Sequence, residues 1–225
     1  MRPARILKES LTLGSFLRTI KSLKGNEPPA AVVDIAMGCK AILPNQTRAE
    51  IIQLLDLVRK NNCRCVMEIG TYRGGTLFLF SRMADAKATV ISVDYPMTFM
   101  GHIYRILQGP ILRSFASKEQ SIFLLRNNSH NPQTVDAVRR ILNGRKLDFL
   151  FIDGDHSYEG VKQDFEMYRE LVREGGFLAF HDICPGPSSS IQVPKFWQEL
   201  KEQFKVSEFV DASAGHTAGI GVVWV

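Results

Sequence analysis

Carboxylates and imidazoles directly follow two apolar stretches of this chain, and they are the side chains best suited to chemistry. They are Asp153, Asp155, His156, His181 and Asp182. Oxygen ligands from Asp153 and Asp182 would suit Mg²⁺, which prefers carboxylates and retained waters. His181 is a softer ligand that suits Mn²⁺, Fe²⁺ or Zn²⁺ better. The pattern predicts a divalent metal site formed by Asp153, His181 and Asp182.

His156 has the right chemistry for a general base, because an ordinary imidazole pKa of about 6.5 lets it accept a proton at neutral pH. We therefore predict catalytic roles for His156 and Asp153. Other interpretations stay open at this point. Asp153 and Asp155 could instead cap the next helix or bind a cofactor, and His156 could belong to a surface turn.

A glycine-rich segment earlier in the chain has the pattern of a ligand-binding turn. Its candidate cofactor-binding residues are Glu68, Gly70, Tyr72, Gly74, Gly75 and Thr76. Residues 66–69 form a short apolar run typical of a buried parallel strand, and Thr76 begins a helical pattern. The turn would then lie at a helix N-terminus beside the carboxyl end of a strand, where open α/β sheets bind ligands. The spacing differs from the Gly-x-Gly-x-x-Gly dinucleotide fingerprint, so the glycines could also serve only to turn the chain.

Polar residues also end the next two predicted strands. Asp94 follows the second strand, 26 positions after Glu68. An acid at this place can accept hydrogen bonds from both ribose hydroxyls of an adenosine-bearing cofactor. Asn128 and Ser129 follow the third strand. Their side chains could bind an adenine edge or simply form a turn, and the sequence leaves that choice open.

The alternation of apolar strands with amphipathic helices predicts an α/β fold whose largely parallel sheet collects these polar strand ends along one edge. No helical pattern separates residues 206–210 from residues 220–225, so we expect an antiparallel hairpin at a sheet edge. The Gly-Gly pair at 175–176 is expected to end the preceding helix. We interpret residues 95–117 as an insertion over the pocket mouth and residues 184–194 as a substrate lid.

Composition limits the class of protein. With 225 residues the chain has the length of one α/β domain. Its four cysteines lack metal-site spacing, which predicts reduced thiols in a cytoplasmic protein. No apolar stretch reaches the roughly 18 residues that span a bilayer, so we expect a soluble protein without a membrane span. The net charge of +5 comes with no basic stripe interleaved with aromatics, so we expect no nucleic-acid partner.

The basic residues gather partly at the N-terminus. Residues 1–24 space their apolar side chains as an amphipathic helix does. Such a helix could pack on the core, mediate homo-oligomer formation or touch an anionic membrane. We expect residues 1–44 to form a helical arm and linker, and residues 45–225 to form the ligand-binding domain.

The order of motifs resembles class I S-adenosylmethionine-dependent methyltransferases. More narrowly, it resembles the small-molecule O-methyltransferase branch that includes the catechol, caffeoyl-CoA and cephalosporin-pathway enzymes. The resemblance covers residues 45–225. It implies a Rossmann-like seven-stranded sheet with an antiparallel C-terminal hairpin and helices on both faces. It also implies S-adenosylmethionine as the cofactor.

The resemblance assigns parts of the cofactor to particular residues. Its methionine part would lie near Glu68, Gly70, Tyr72 and Thr76, its ribose at Asp94, and its adenine near Asn128 and Ser129. Gly74, Gly75 and Asp153 complete the expected cofactor-binding set. In the metal-dependent branch the metal ligands fall at Asp153 and at the pair occupied here by His181 and Asp182, and a basic lysine falls where this chain has His156. The histidines at 156 and 181 are departures from that pattern.

The predicted function is therefore methyl transfer from S-adenosylmethionine to a hydroxyl of a small molecule, with Mg²⁺ or another divalent cation as an additional cofactor. Three alternatives remain. A nicotinamide-dependent oxidoreductase would leave Asp153, His181 and Asp182 without a role. A non-catalytic S-adenosylmethionine-binding module would keep the fold alone, and an RNA methyltransferase would use the basic N-terminal arm.

Overall fold

A computed structural model of the protein describes residues 3–95, 102–212 and 218–225. Helices and strands alternate along most of it. The helices are α1 Pro3–Ser22, α2 Pro29–Met37, α3 Arg48–Lys60, α4 Gly75–Met83, α5 His102–Arg113, α6 Pro132–Leu142, α7 Tyr158–Tyr168 and α8 Val193–Gln203. The strands are β1 Cys65–Ile69, β2 Thr89–Val93, β3 Ser121–Leu125, β4 Leu147–Ile152, β5 Val172–His181, β6 Val206–Phe209 and β7 Ile220–Trp224.

The seven strands form one sheet in the order β3-β2-β1-β4-β5-β7-β6. The first five positions are parallel, and β7 runs antiparallel to both of its neighbours. The predicted sheet with its antiparallel C-terminal strands is confirmed. The chain moves outward in one direction from β1 to β3 and in the other from β4 to β5. The switch point between β1 and β4 is where open α/β sheets bind their ligands.

Both faces of the sheet are covered by helices. Neighbouring residues of a strand point to opposite faces, and accordingly Val66 packs in one apolar cluster and Met67 in the other. Helices α1 to α5 contribute to the first cluster, and α6 to α8 contribute to the second. Helix α1 joins its cluster through Phe16, whose ring packs edge-on against Phe78 and Phe115. The N-terminal helix therefore packs on the core.

The prediction that Gly175 and Gly176 end a helix is wrong. Helix α7 already ends at Tyr168, a 3₁₀ turn follows at Arg169–Leu171, and β5 begins at Val172. The glycines lie inside β5, where the register with β4 shifts. A Cβ on Gly176 would lie 2.8 Å from Val172 Cγ1 and 3.0 Å from the Asp148 carbonyl oxygen, so the irregular strand requires glycine there.

Several predicted segments take a more definite form. The expected arm and linker of residues 1–44 contains α2 as well as α1, and the expected insertion after Asp94 contains α5. Residues 96–101 of that insertion and residues 213–217 of the predicted turn between β6 and β7 lie outside the described residues. None of the helices α1 to α8 combines the length and hydropathy needed to cross a membrane.

Candidate functional site

A cavity of about 460 Å³ opens at the carboxyl ends of β1, β2 and β4. Most of the residues selected from the sequence line it: Gly70, Tyr72, Gly75, Thr76, Asp94, Asn128, Ser129, Asp153 and His156. The others lie next to it or beneath it, as described below: Glu68, Gly74, His181 and Asp182. The structure thus brings the glycine turn and the acidic strand ends to one space.

The glycine turn is shaped by close backbone contacts. Gly70 has φ +91°, and a Cβ there would lie 1.9 Å from the Asp153 carbonyl oxygen, so β1 and β4 can approach only at a glycine. A Cβ on Gly75 would lie 2.3 Å from the Ile42 carbonyl oxygen. Gly74 is the N-cap of α4 and backs onto Leu112 of α5. The turn is therefore held between β4, α5 and the segment before α3.

Glu68 supports this turn from below. Its side chain is buried, and Thr76 Oγ1 donates a 2.7 Å hydrogen bond to its Oε2. Burial raises the pKa of Glu68 to about 8, with the hydrogen bond from Thr76 opposing that rise. The carboxyl group thus ties the end of β1 to the first turn of α4 and does not line the cavity.

Asp94 joins the tip of β2 to the same turn. Its Oδ1 accepts hydrogen bonds from the backbone N–H of Thr71 at 2.9 Å and of Tyr72 at 3.4 Å. Burial raises the pKa of this carboxyl above its ordinary value. Tyr72 adopts a left-handed conformation at φ 46°, and Gln108 Nε2 donates to its carbonyl oxygen at 2.8 Å. Part of the predicted insertion therefore packs on the turn.

The loop after β3 is held by α7. Tyr168 donates a 2.8 Å hydrogen bond to the Ser129 carbonyl oxygen. His130 Nε2 lies 3.3 Å from Asp164 Oδ1, and Asp164 is fully buried. The Asp164 carboxylate raises the pKa of His130. Sequence reasoning missed the contact between these two residues, because Asp164 lies on the buried face of α7 among apolar side chains.

Asp153 lies at the centre of the carboxylate and imidazole cluster. Its Oδ1 lies 3.2 Å from His156 Nε2 and 3.3 Å from His181 Nδ1. Asp182 completes the group, at 3.6 Å from His156 Nε2 and 3.4 Å from His181 Nδ1. Burial alone would raise the pKa of Asp153, but the two histidines lower it to about 2. Burial alone would likewise lower the pKa of His181, but the two carboxylates raise it to about 10.

This cluster fits a divalent cation. One ligand atom each from Asp153, His181 and Asp182 lies within 4.8 Å of the others. Ionised carboxylates and imidazole together suit ions such as Mn²⁺, Fe²⁺ and Zn²⁺. In the protein without a metal, the histidines compensate the negative charge of the aspartates. The same side chains can therefore serve either as an ion-pair cluster or as a ligand set.

Gln46 is a site residue that sequence reasoning missed. Its Nε2 donates a 2.9 Å hydrogen bond to Asp153 Oδ2, and its side chain is buried against the cavity. The neighbouring Thr47 is the N-cap of α3, where its side chain accepts a hydrogen bond from the Glu50 backbone N–H. No local pattern marks Gln46, because its partner is 107 residues away. The predicted lid, in turn, contacts the site at its end, where the Gln192 backbone N–H donates to the His156 carbonyl oxygen.

Comparison with known proteins identifies the family. A family model described as Methyltransferase domain matches residues 67–183, which is more than half of the chain. The uncharacterized protein R132 of Acanthamoeba polyphaga mimivirus is 30% identical over 116 residues, or 52% of this chain and 50% of that protein. The chain thus matches about half the length of this curated relative.

Solved structures agree on the fold. The O-methyltransferase TomG from Streptomyces achromogenes, in complex with SAM, is 13% identical, with a TM-score of 0.61 over 89% of this chain and 90% of TomG. The O-methyltransferase from Bacillus cereus, in complex with SAH, is 16% identical, with a TM-score of 0.59 over 91% of this chain and 94% of that chain. This chain belongs to the methyltransferase domain family. The resemblance to class I methyltransferases drawn from its motifs is confirmed.

Proposed function

We propose that the protein transfers the methyl group of S-adenosylmethionine to a hydroxyl of a small molecule, with a divalent cation bound by Asp153, His181 and Asp182. One observation carries the proposal. A single cavity at the switch point of the sheet is lined by the glycine turn, by Asp94 and by Asp153. A cofactor on the turn and an acceptor at the carboxylate cluster would therefore share one space.

The cavity offers a partner for each part of the cofactor. Helix α4 has Gly74 as its N-cap and no side-chain cap, so its N-terminus favours an anion such as the α-carboxylate of the cofactor. Asp94 would accept hydrogen bonds from the ribose, and Asn128 with Ser129 would contact the adenine. TomG and the Bacillus cereus enzyme, which share the fold, were solved with SAM and SAH. The SAM and SAH bound to those two enzymes support the assignment of this cavity to S-adenosylmethionine.

Methyl transfer to oxygen is an in-line displacement. The carbon–sulfur bond breaks as the carbon–oxygen bond forms, and the hydroxyl proton must leave. The reacting carbon and oxygen must be held about 3 Å apart, so positioning supplies much of the acceleration. A bound cation would lower the pKa of the acceptor hydroxyl. His156, whose Nε2 lies 3.2 Å from Asp153 Oδ1, would accept its proton.

The test is incorporation of labelled methyl from S-adenosylmethionine into a panel of phenols, sugars and polyketide alcohols, with and without a chelator. We expect incorporation that falls on chelation and is abolished by Asp153→Ala. The matched control is Asp136→Ala, an exposed aspartate on α6. Unchanged incorporation in Asp153→Ala with chelator present would refute the metal-assisted mechanism. Label found in RNA, with none in the panel, would refute the small-molecule acceptor.

A further inference from the structure

Gln46 reaches the site from a part of the chain without regular secondary structure. It lies just before α3, and its side chain is only 4% exposed. Its Nε2 donates to Asp153 Oδ2, while Asp153 Oδ1 faces His156 and His181. The two oxygens of this carboxylate thus have different partners. Gln46 fixes the rotation of the carboxylate that presents Oδ1 to the imidazoles.

The amide of Gln46 has a defined orientation. An ionised carboxylate can only accept hydrogen bonds, so the amide NH₂ must face Asp153 and the amide oxygen must face away. That oxygen, Oε1, is buried and has no hydrogen-bond donor within the part of the chain that the structure describes. A buried acceptor without a donor is unfavourable. Because Gln46 lines the cavity, a ligand in the cavity can supply the donor.

The position of the segment indicates which donor this is. Its backbone crosses the start of α4, since a Cβ on Gly75 would lie 2.3 Å from the Ile42 carbonyl oxygen and 2.7 Å from Pro44 N. The segment therefore runs from the N-terminus of α4, at Ile42 and Pro44, to Asp153, at Gln46. An amino-acid group bound there would direct its carboxylate to the helix N-terminus and its ammonium toward Asp153 and the Gln46 amide.

We propose that Gln46 is a positioning residue with two roles: its Nε2 orients the Asp153 carboxylate, and its Oε1 accepts a hydrogen bond from the α-ammonium of the bound cofactor. The proposal rests on the function proposed above. Gln46 would thus link the amino-acid end of the cofactor to the carboxylate and imidazole cluster. Filling the cofactor site would then also fix the carboxylate that faces the reacting oxygen.

The experiment compares two ligands by calorimetric titration. S-Adenosylhomocysteine carries the α-ammonium, and 5′-methylthioadenosine lacks the whole amino-acid part. In Gln46→Leu, we expect the affinity for S-adenosylhomocysteine to fall at least about tenfold, as is typical for a lost hydrogen bond to a charged group. The affinity for 5′-methylthioadenosine should stay unchanged. Gln53→Leu, on the exposed side of α3, is the control and should bind both ligands as the wild type does.

A second measurement separates the two roles. Mn²⁺, titrated alone, needs no cofactor, so it reports only on the orientation of the Asp153 carboxylate. We expect the affinity of Gln46→Leu for Mn²⁺ to fall below that of wild type. Equal S-adenosylhomocysteine affinity in wild type and Gln46→Leu would overturn the proposal. An effect of Gln46→Leu that appears only as a raised KM for the acceptor would also overturn the proposal. Failure of wild type itself to bind S-adenosylhomocysteine would instead refute the proposed function.

Discussion

The buried pair His130–Asp164 makes the stability of the protein depend on pH in a direction that can be predicted. Asp164 is fully buried on α7, and the imidazole of His130 is the cationic group beside it. The carboxylate raises the pKa of His130 above its unfolded value of about 6.5. Folding thus favours the protonated histidine. The stabilisation is complete below about pH 6.5 and is lost as the pH rises through the folded pKa.

The magnitude follows from burial. Removing one partner of a buried ion pair costs about 3–5 kcal/mol, because the other charge is left uncompensated. The His130 side chain is 19% exposed, so water can partly replace it, and we expect about 2–3 kcal/mol for His130→Ala at pH 6. For a chain of this size, that corresponds to a fall in Tm of roughly 4–12 °C. The cost should be smaller at a pH above the folded pKa of His130, where the wild-type imidazole has lost its charge.

Urea unfolding of wild type and variant at pH 6 and pH 9 measures the difference directly. Asp164→Asn is the matched variant, because it keeps an oxygen acceptor for His130 but removes the charge. It should abolish the part of the pH dependence that wild type owes to this pair. An identical cost of His130→Ala at both pH values would refute the reasoning.

Three further substitutions test the turn and the core. Thr76→Val removes the hydroxyl that donates to the buried Glu68 carboxyl and should cost about 1–3 kcal/mol in urea unfolding, whereas Thr76→Ser should cost less. Gly70→Ala places a Cβ on the Asp153 carbonyl oxygen and should abolish cooperative thermal unfolding; native-like melting would contradict the geometry. Phe16→Ala should lower the free energy of unfolding by about 3–5 kcal/mol, because it leaves a cavity between the rings of Phe78 and Phe115. A change within about 0.5 kcal/mol, as for a surface residue, would show that α1 does not pack there.

The sequence was most informative where local chemistry determines local structure. The apolar run before Gly70 and the helical pattern from Thr76 located a strand, a turn and a helix, and Asp94 marked the end of the next strand. These features depend on neighbours in the chain. The switch point that collects them follows from the alternation of strands and helices. The fold class was therefore predictable from the sequence alone.

Contacts between distant segments could not be predicted in the same way. Gln46 contacts Asp153 across 107 positions, and no periodic pattern marks it. His130 and Asp164 meet because α7 packs behind the loop after β3, which a single sequence does not specify. Gly175 and Gly176 were predicted to end a helix because glycine favours helix termini. In the structure they lie in β5, where its register with β4 shifts.

Calorimetric titration of the protein with S-adenosylmethionine tests the central claim most directly. The proposed function predicts saturable binding at micromolar ligand, which corresponds to about 8 kcal/mol. Asp94→Ala should weaken that binding at least about tenfold, since a ribose would lose a charged hydrogen-bond acceptor. A folded protein that shows no binding up to millimolar S-adenosylmethionine would contradict the claim.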